Sequence, residues 1–256
     1  MPPLFFREVG SGPPIVFLHG FCEAGEIWDE FVRPIAQDFR VLLPDLPGFG
    51  NSESLPDQFT IDDVATVISN WLKELKIQSA TIVGHSLGGY VTLSLAENSP
   101  SLVNGFCLFH STAFPDSKEK KENRTRVMRF VEAHGALPFI ETFVPGLFHN
   151  KNDSAIPVVF EIAAKTNAAS IISYSSAMRE RPDRVELLRN SAIPKLIIAG
   201  KEDSLIPIET AREMAKTARN CAFLELPKTG HMGLFEARNE CRRATTHFAH
   251  SLLSNN

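Results

Sequence analysis

Ser86, Asp203 and His231 are the residues of this chain whose types and order could run nucleophilic catalysis. A serine hydroxyl alone is a poor nucleophile, and a base must take its proton as it attacks. His231 offers an imidazole in the loop Thr229-Gly230-His231-Met232-Gly233, whose flanking glycines allow close approach to another loop. The imidazolium so formed needs a carboxylate to hold its tautomer and balance its charge. Asp203, in Gly200-Lys201-Glu202-Asp203-Ser204, is the first choice, with Glu202 and Asp116 as weaker candidates. The chemistry would be acyl transfer at a carbonyl, and its oxyanion needs two preorganised donors. The backbone amide of Leu87 is one candidate. The amide of Phe21 is the other, with that of Cys22 as its fallback.

These groups must be carried to one place by strands and turns. Thr81-Ile82-Val83 is a short apolar run with β-branched residues and reads as a buried strand. Gly84-His85-Ser86-Leu87-Gly88 follows it and fits G-x-S-x-G, after which Val91, Leu93, Leu95 and Ala96 continue as a helix. That strand–turn–helix lifts the serine to a sheet edge in a strained conformation and aims helix N-terminal amides at developing negative charge. In a parallel sheet, ligands bind beyond the carboxyl ends of the strands. Candidates stand at four such ends: His19-Gly20-Phe21, Ser86, Glu202-Asp203 and His231.

Other strands are expected at Leu4 to Val9, Ile15-Val16-Phe17-Leu18, Val41-Leu42-Leu43, Phe106-Cys107-Leu108-Phe109, Lys195 to Gly200 and Ala222 to Leu226. Helices are expected at Glu26 to Ala36, interrupted by Pro34, and from Thr60 through Leu75, with Thr60 as N-cap. Pro207 to Thr217 and Glu236 to Leu253 read as two more. The strand–helix alternation with apolar strands predicts a mostly parallel sheet covered on both faces. It breaks at about Asp116. From there to about Arg189 the pattern is helical, which suits a cap over a pocket. The charge run from Ser117 to Arg129 reads as a solvated helix face. Phe139 and Phe143 in the cap, and Trp28 near the His19 loop, are expected in the core or as pocket walls.

The chain resembles the α/β-hydrolase superfamily from about Leu4 to Leu253. His19-Gly20-Phe21 is similar to its oxyanion loop, Asp45-Leu46-Pro47-Gly48-Phe49-Gly50-Asn51-Ser52 to its D-x-P-G-x-G-x-S loop, and Gly84 to Gly89 to its nucleophile elbow. Gly200 to Asp203 and Gly230-His231 match its acid and histidine loops. Ala177 to Arg184 and the helical cap resemble the carboxylesterase, enol-lactonase and cofactor-free haloperoxidase-like branch. The resemblance implies an α/β-hydrolase fold over residues 1–256, with a helical cap at about 116–189. It also implies a serine hydrolase acting on a small ester or lactone through an acyl-Ser86 intermediate, without cofactor. A serine at the elbow argues against the epoxide hydrolases and haloalkane dehalogenases, which use aspartate. A C–C bond hydrolase or perhydrolase could use the same triad, and a small-molecule receptor could keep the same shell.

Composition narrows the rest. A formal net charge of -4 argues against a nucleic-acid partner. Four scattered cysteines form no C-x-x-C pair, and His247 and His250 lack a third ligand, so no metal site is expected. No run approaches the ~18 apolar residues of a membrane span. The N-terminus does not read as a signal peptide. The expected location is therefore the cytoplasm. Asp45 and Ser52 are expected to shape their loop, and His85 to pack and hydrogen-bond beside the nucleophile.

Overall fold

The apolar runs become the central strands of a seven-stranded sheet. The computed structural model describes residues 3–56 and 58–253. In chain order the elements are β1 (Phe6–Val9), β2 (Pro14–Leu18), α1 (Asp29–Val32), β3 (Arg40–Pro44), α2 (Ile61–Glu74), β4 (Ala80–His85), α3 (Leu87–Asn98) and β5 (Val103–Phe109). Five helices then run without a strand: α4 (Lys118–His134), α5 (Ala136–Leu147), α6 (Ile156–Ala163), α7 (Ala168–Arg179) and α8 (Val185–Asn190). The alternation resumes with β6 (Lys195–Gly200), α9 (Ile208–Thr217), β7 (Cys221–Leu226), α10 (Gly233–Glu236) and α11 (Arg238–Leu253).

The strands lie in the order β1-β3-β2-β4-β5-β6-β7. The β1 edge is antiparallel to β3, and all other neighbouring pairs are parallel. All six residues of β4 are buried. Successive side chains of a strand point to opposite faces, so both faces of the sheet are covered there. The strand order reverses at β2, which pairs with β3 on one side and β4 on the other. The loops after β2 and β4 therefore flank a topological switch point, where α/β sheets bind ligands.

Local sequence explains several boundaries. At the start of α2, Thr60 Oγ1 accepts from the Asp63 amide and the Asp63 carboxylate accepts from the Thr60 amide, a reciprocal capping box. Around Pro34 the expected helix shortens to α1, flanked by 3₁₀ turns at Gly25–Trp28 and Ile35–Gln37. The terminal helix is broken at Ala237 instead of running on from Glu236. At that break the Glu236 carboxylate turns back to accept from the amides of Gly230, Met232 and His149. Among the described residues, no single helix is long and apolar enough to cross a membrane.

Candidate active site

Ser86 follows β4 with φ 50° and ψ -111°, a conformation costly for a residue with a Cβ. Tight packing enforces it. A Cβ at Gly84 would lie 2.4 Å from the Gly88 carbonyl oxygen, and one at Gly88 would lie 2.4 Å from that of Leu18. The Ser86 amide donates to the Phe109 carbonyl, and the Ser86 carbonyl accepts from the Gly89 amide and the Ser111 hydroxyl. The turn is thus pinned to β5, and Ser86 opens into a cavity of about 410 Å³.

Asp203 and His231 meet each other in the interior. His231 Nδ1 donates to Asp203 Oδ2 at 2.8 Å, and both side chains are buried. Asp203 Oδ1 accepts from the amides of Leu205 and Ile206 at 2.9 Å each. Burial opposes ionisation of Asp203, but the charge of His231 and the hydrogen bonds from His110 and His231 outweigh it and hold the carboxyl below its usual range. His231 Nε2 is buried and has no hydrogen-bond partner among the described residues. Glu202 is exposed, and Asp116 is bound by Arg124 and Arg181, so neither serves His231. The His231 amide donates to the Leu147 carbonyl at 2.8 Å, which ties this loop to the end of α5.

Two histidines and one glutamate around this pair were not assigned to the site from sequence. His110 lies just past β5 with φ 48°, its Nδ1 3.3 Å from Asp203 Oδ2, so Asp203 faces two imidazoles. Burial pushes the His110 pKa down to about 4, which keeps it a neutral donor at pH 7. His85 has an acceptor at each ring nitrogen, Glu23 Oε2 at Nδ1 and the His231 carbonyl at Nε2, both at 3.0 Å. Two acceptors favour a proton on each ring nitrogen of His85. Burial opposes that charge, but Glu23 overcomes it and raises the His85 pKa. Glu23 Oε2 also accepts from the Gly20 amide at 2.6 Å. One buried ion pair therefore joins the loop after β2, the elbow and the His231 main chain. Glu23 carries no sequence signal beyond its place four residues after His19.

On the loop after β2, His19 Nδ1 donates to the Gly20 carbonyl at 2.8 Å and Nε2 accepts from the Leu46 amide at 2.9 Å. Asp45 accepts from the amides of Gly25 and Asn51, and Ser52 donates to the Asp45 carbonyl. The amides of Phe21 and Leu87 donate no hydrogen bond within the described chain. The Phe21 ring, with Phe139 and Phe143, lines the cavity. Phe139 and Phe143 stack with centroids 5.1 Å apart, and Phe21 meets Phe143 edge-on at 5.8 Å. Trp28 does not line it, a correction to its placement as a pocket residue. Its ring is fully buried, because the turn at Gly25–Trp28 packs it against Phe31 and against Phe17 and Phe109 of the central strands β2 and β5. The charge run also departs from a purely solvated face. Lys120, Asn123, Arg124 and Val127, spaced i, i+3, i+4, i+7 on α4, line the cavity. Among the described residues, three metal-ligating side chains converge at His110, Asp203 and His231, within 4.8 Å of one another. The direct His231–Asp203 bond occupies atoms an ion would need.

The sequence profile of the alpha/beta hydrolase fold family matches residues 13–238. The chain belongs to that family. It is a hydrolase of the α/β fold, with the mostly parallel sheet described above. A thermophilic esterase from Thermogutta terrifontis, in a malate-bound structure, superposes with a TM-score of 0.92 at 28% identity, covering 97% of this chain and 93% of the esterase. The enol-lactonase from Burkholderia xenovorans LB400 superposes with a TM-score of 0.87 at 22% identity, covering 96% and 95%, and shares the fold. The 2-hydroxy-6-oxo-6-(2'-aminophenyl)hexa-2,4-dienoic acid hydrolase of Metapseudomonas resinovorans is 24% identical over 254 residues, 95% of this chain and 86% of the relative.

Proposed function

We propose that this hydrolase cleaves a small ester or lactone through an acyl intermediate on Ser86, beneath a helical cap formed by about residues 116–189. One observation carries the reading: His231 is held at Nδ1 by Asp203 while its buried Nε2 is left without a partner, and its carbonyl is bound by His85, the chain neighbour of a strained serine that opens on a cavity. The Ser86 hydroxyl attacks the carbonyl carbon and its proton passes to His231 Nε2. The free amides of Phe21 and Leu87 receive the oxyanion. Collapse expels the alcohol, which takes the proton from His231. Water then attacks the acyl-enzyme with His231 again as base, and the acid leaves. Asp203 keeps the Nδ1–H tautomer and balances the imidazolium. The names of the Thermogutta esterase and the Burkholderia lactonase support an ester or lactone substrate. The Metapseudomonas relative favours a second reading with the same triad, hydrolysis of a C–C bond in a dienoic acid.

The test is turnover of 4-nitrophenyl esters of increasing acyl length, with wild type and Ser86→Ala side by side, and mass spectrometry after a fluorophosphonate label. We expect kcat to fall at least about 10³-fold in the variant and the label to sit on Ser86. Retained turnover in Ser86→Ala, or a label on another residue, defeats the mechanism.

A further inference from the structure

The cavity over Ser86 has two chemically different walls. Phe21, Phe139 and Phe143 make one of them apolar. The opposite chemistry comes from α4, whose Lys120, Asn123 and Arg124 fall at i, i+3 and i+4 and so share one helix face. Three cations line the cavity, Lys120, Arg124 and Arg126, against two carboxylates, Asp116 and Glu119. Arg181, bound to Asp116 from behind, adds a further positive charge. The chain as a whole carries -4, so this local excess runs against the molecule's balance.

The arginine is held in place and has capacity to spare. Asp116 is buried and accepts from Arg124 Nε and Arg181 Nη1 at 2.7 Å each. Arg181 is fixed in turn by the carbonyls of Met178 and Phe114 and by the Tyr90 ring, 4.0 Å from its guanidinium carbon. Burial opposes the charge of Asp116, but the two guanidinium groups hold its carboxyl below the usual range, so it stays ionised. With Nε engaged, the two terminal amines of Arg124 donate to no other group among the described residues. Lys120 Nζ donates to the Leu205 carbonyl at 3.0 Å and pairs with no carboxylate among the described residues. A guanidinium with free terminal amines offers the parallel donors that carboxylates and phosphates accept.

We propose that the substrate carries an anionic group, a carboxylate or a phosphate, which Arg124 and Lys120 hold on the α4 wall while the acyl carbon lies at Ser86. This rests on the ester or lactone reading above and adds the substrate's charge to it. A charge-assisted hydrogen bond is worth about 1.5–3 kcal/mol, or roughly ten- to a hundred-fold. The apolar wall takes the carbon skeleton between the two polar ends.

The test compares 4-nitrophenyl hydrogen adipate with its neutral methyl ester, and with an analogue bearing a terminal phosphonate in place of the carboxylate. We expect the full chain to prefer a charged ester by at least about tenfold in kcat/KM, with the preference shrinking as salt rises. Preference for the carboxylate or for the phosphonate supports the proposal and names the anion. In Arg124→Gln and Lys120→Gln the preference should fall severalfold. Lys120→Gln disturbs only one carbonyl contact and stands in if loss of the Asp116 partner unfolds the arginine variant. A wild-type ratio near one, or a ratio unchanged in both variants, overturns the proposal. Calorimetric titration with hexanoate and the neutral hexanamide reads the same site without turnover. Hexanoate should bind at least about tenfold tighter than hexanamide, and Lys120→Gln should narrow that gap. Equal affinities overturn the anion site even if esters are cleaved; a clear gap sustains it even if no ester is.

Discussion

At the scale of the residue, the buried pair Glu23–His85 is the feature with most reach. Through His85, the residue before the nucleophile, it binds the His231 carbonyl, and through Glu23 it binds the Gly20 amide. Its effect on stability has a defined pH window. Burial and His85 act in opposite senses on Glu23, and the net shift is below the ordinary 4.5, so its contribution is complete above 4.5 and is lost as pH falls further. The pKa of His85 is raised above 6.5, so its contribution is complete below 6.5 and is lost as pH rises through the raised value. The pair therefore stabilises most between 4.5 and 6.5. Glu23→Gln should destabilise by on the order of 2 kcal/mol at pH 5.5 and by clearly less at pH 8.5. Urea unfolding at the two pH values checks this, and a loss that grows with pH contradicts it. The strained turn at Ser86 and the loops carrying Asp203 and His231 were legible in sequence, because their neighbours in the chain carry the pattern. Glu23 and His110 were not, because they reach the site through spatial neighbours 62 and 93 residues away.

At the scale of the element, the elbow works because α3 can sit almost on the backbone of β2. A Cβ at Gly88 would lie 2.4 Å from the Leu18 carbonyl oxygen and 2.8 Å from that of His19, and neither main-chain atom can move alone. Gly88→Ala should therefore cost about 3 kcal/mol or more and remove most turnover, since Ser86 rides on the same turn. Gly146→Ala is the control: nothing lies within 4 Å of its added Cβ. That change should leave the melting temperature unchanged or slightly raised, as expected for replacing a helical glycine. Thermal melts of both variants decide the matter, and equal shifts would show that close packing at the elbow is not the reason for Gly88. The helix α4 teaches the opposite lesson about legibility. Its sequence is dominated by charge and reads as a surface helix, yet one face borders the cavity. Charge density reports solvent contact, and an open cavity satisfies that as well as the outer surface does.

At the scale of the molecule, the helical segment between β5 and β6 is bonded at several points to the loops and helices that flank the sheet. Tyr174 donates to the Pro47 carbonyl at 2.9 Å and Ser170 to the Gly48 carbonyl at 2.6 Å. Arg184, buried, pairs with Asp62 on α2 and Glu97 on α3. The Leu147 carbonyl takes the His231 amide. We expect these helices and the sheet to unfold together. Tyr174→Phe, which removes one buried hydrogen bond, should cost about 1 kcal/mol and lower a single melting transition by roughly 2–4 °C. Two transitions in calorimetry, with only one shifted, would mean that the helices melt on their own.

By itself the sequence determined the alternation of strand and helix, the tight turn at Ser86, the loops carrying Asp203 and His231, and the break in rhythm near Asp116. These are local patterns, set by periodicity, turn residues and N-caps within a few positions. Tertiary structure alone decided that Asp203 rather than Asp116 or Glu202 holds His231, that Trp28 is sealed in the core, and that His85 faces Glu23. It alone turned part of a charged helix toward the nucleophile. Each of those depends on which groups become neighbours once the chain has crossed the sheet, and a distance in space is not written in a distance along the chain.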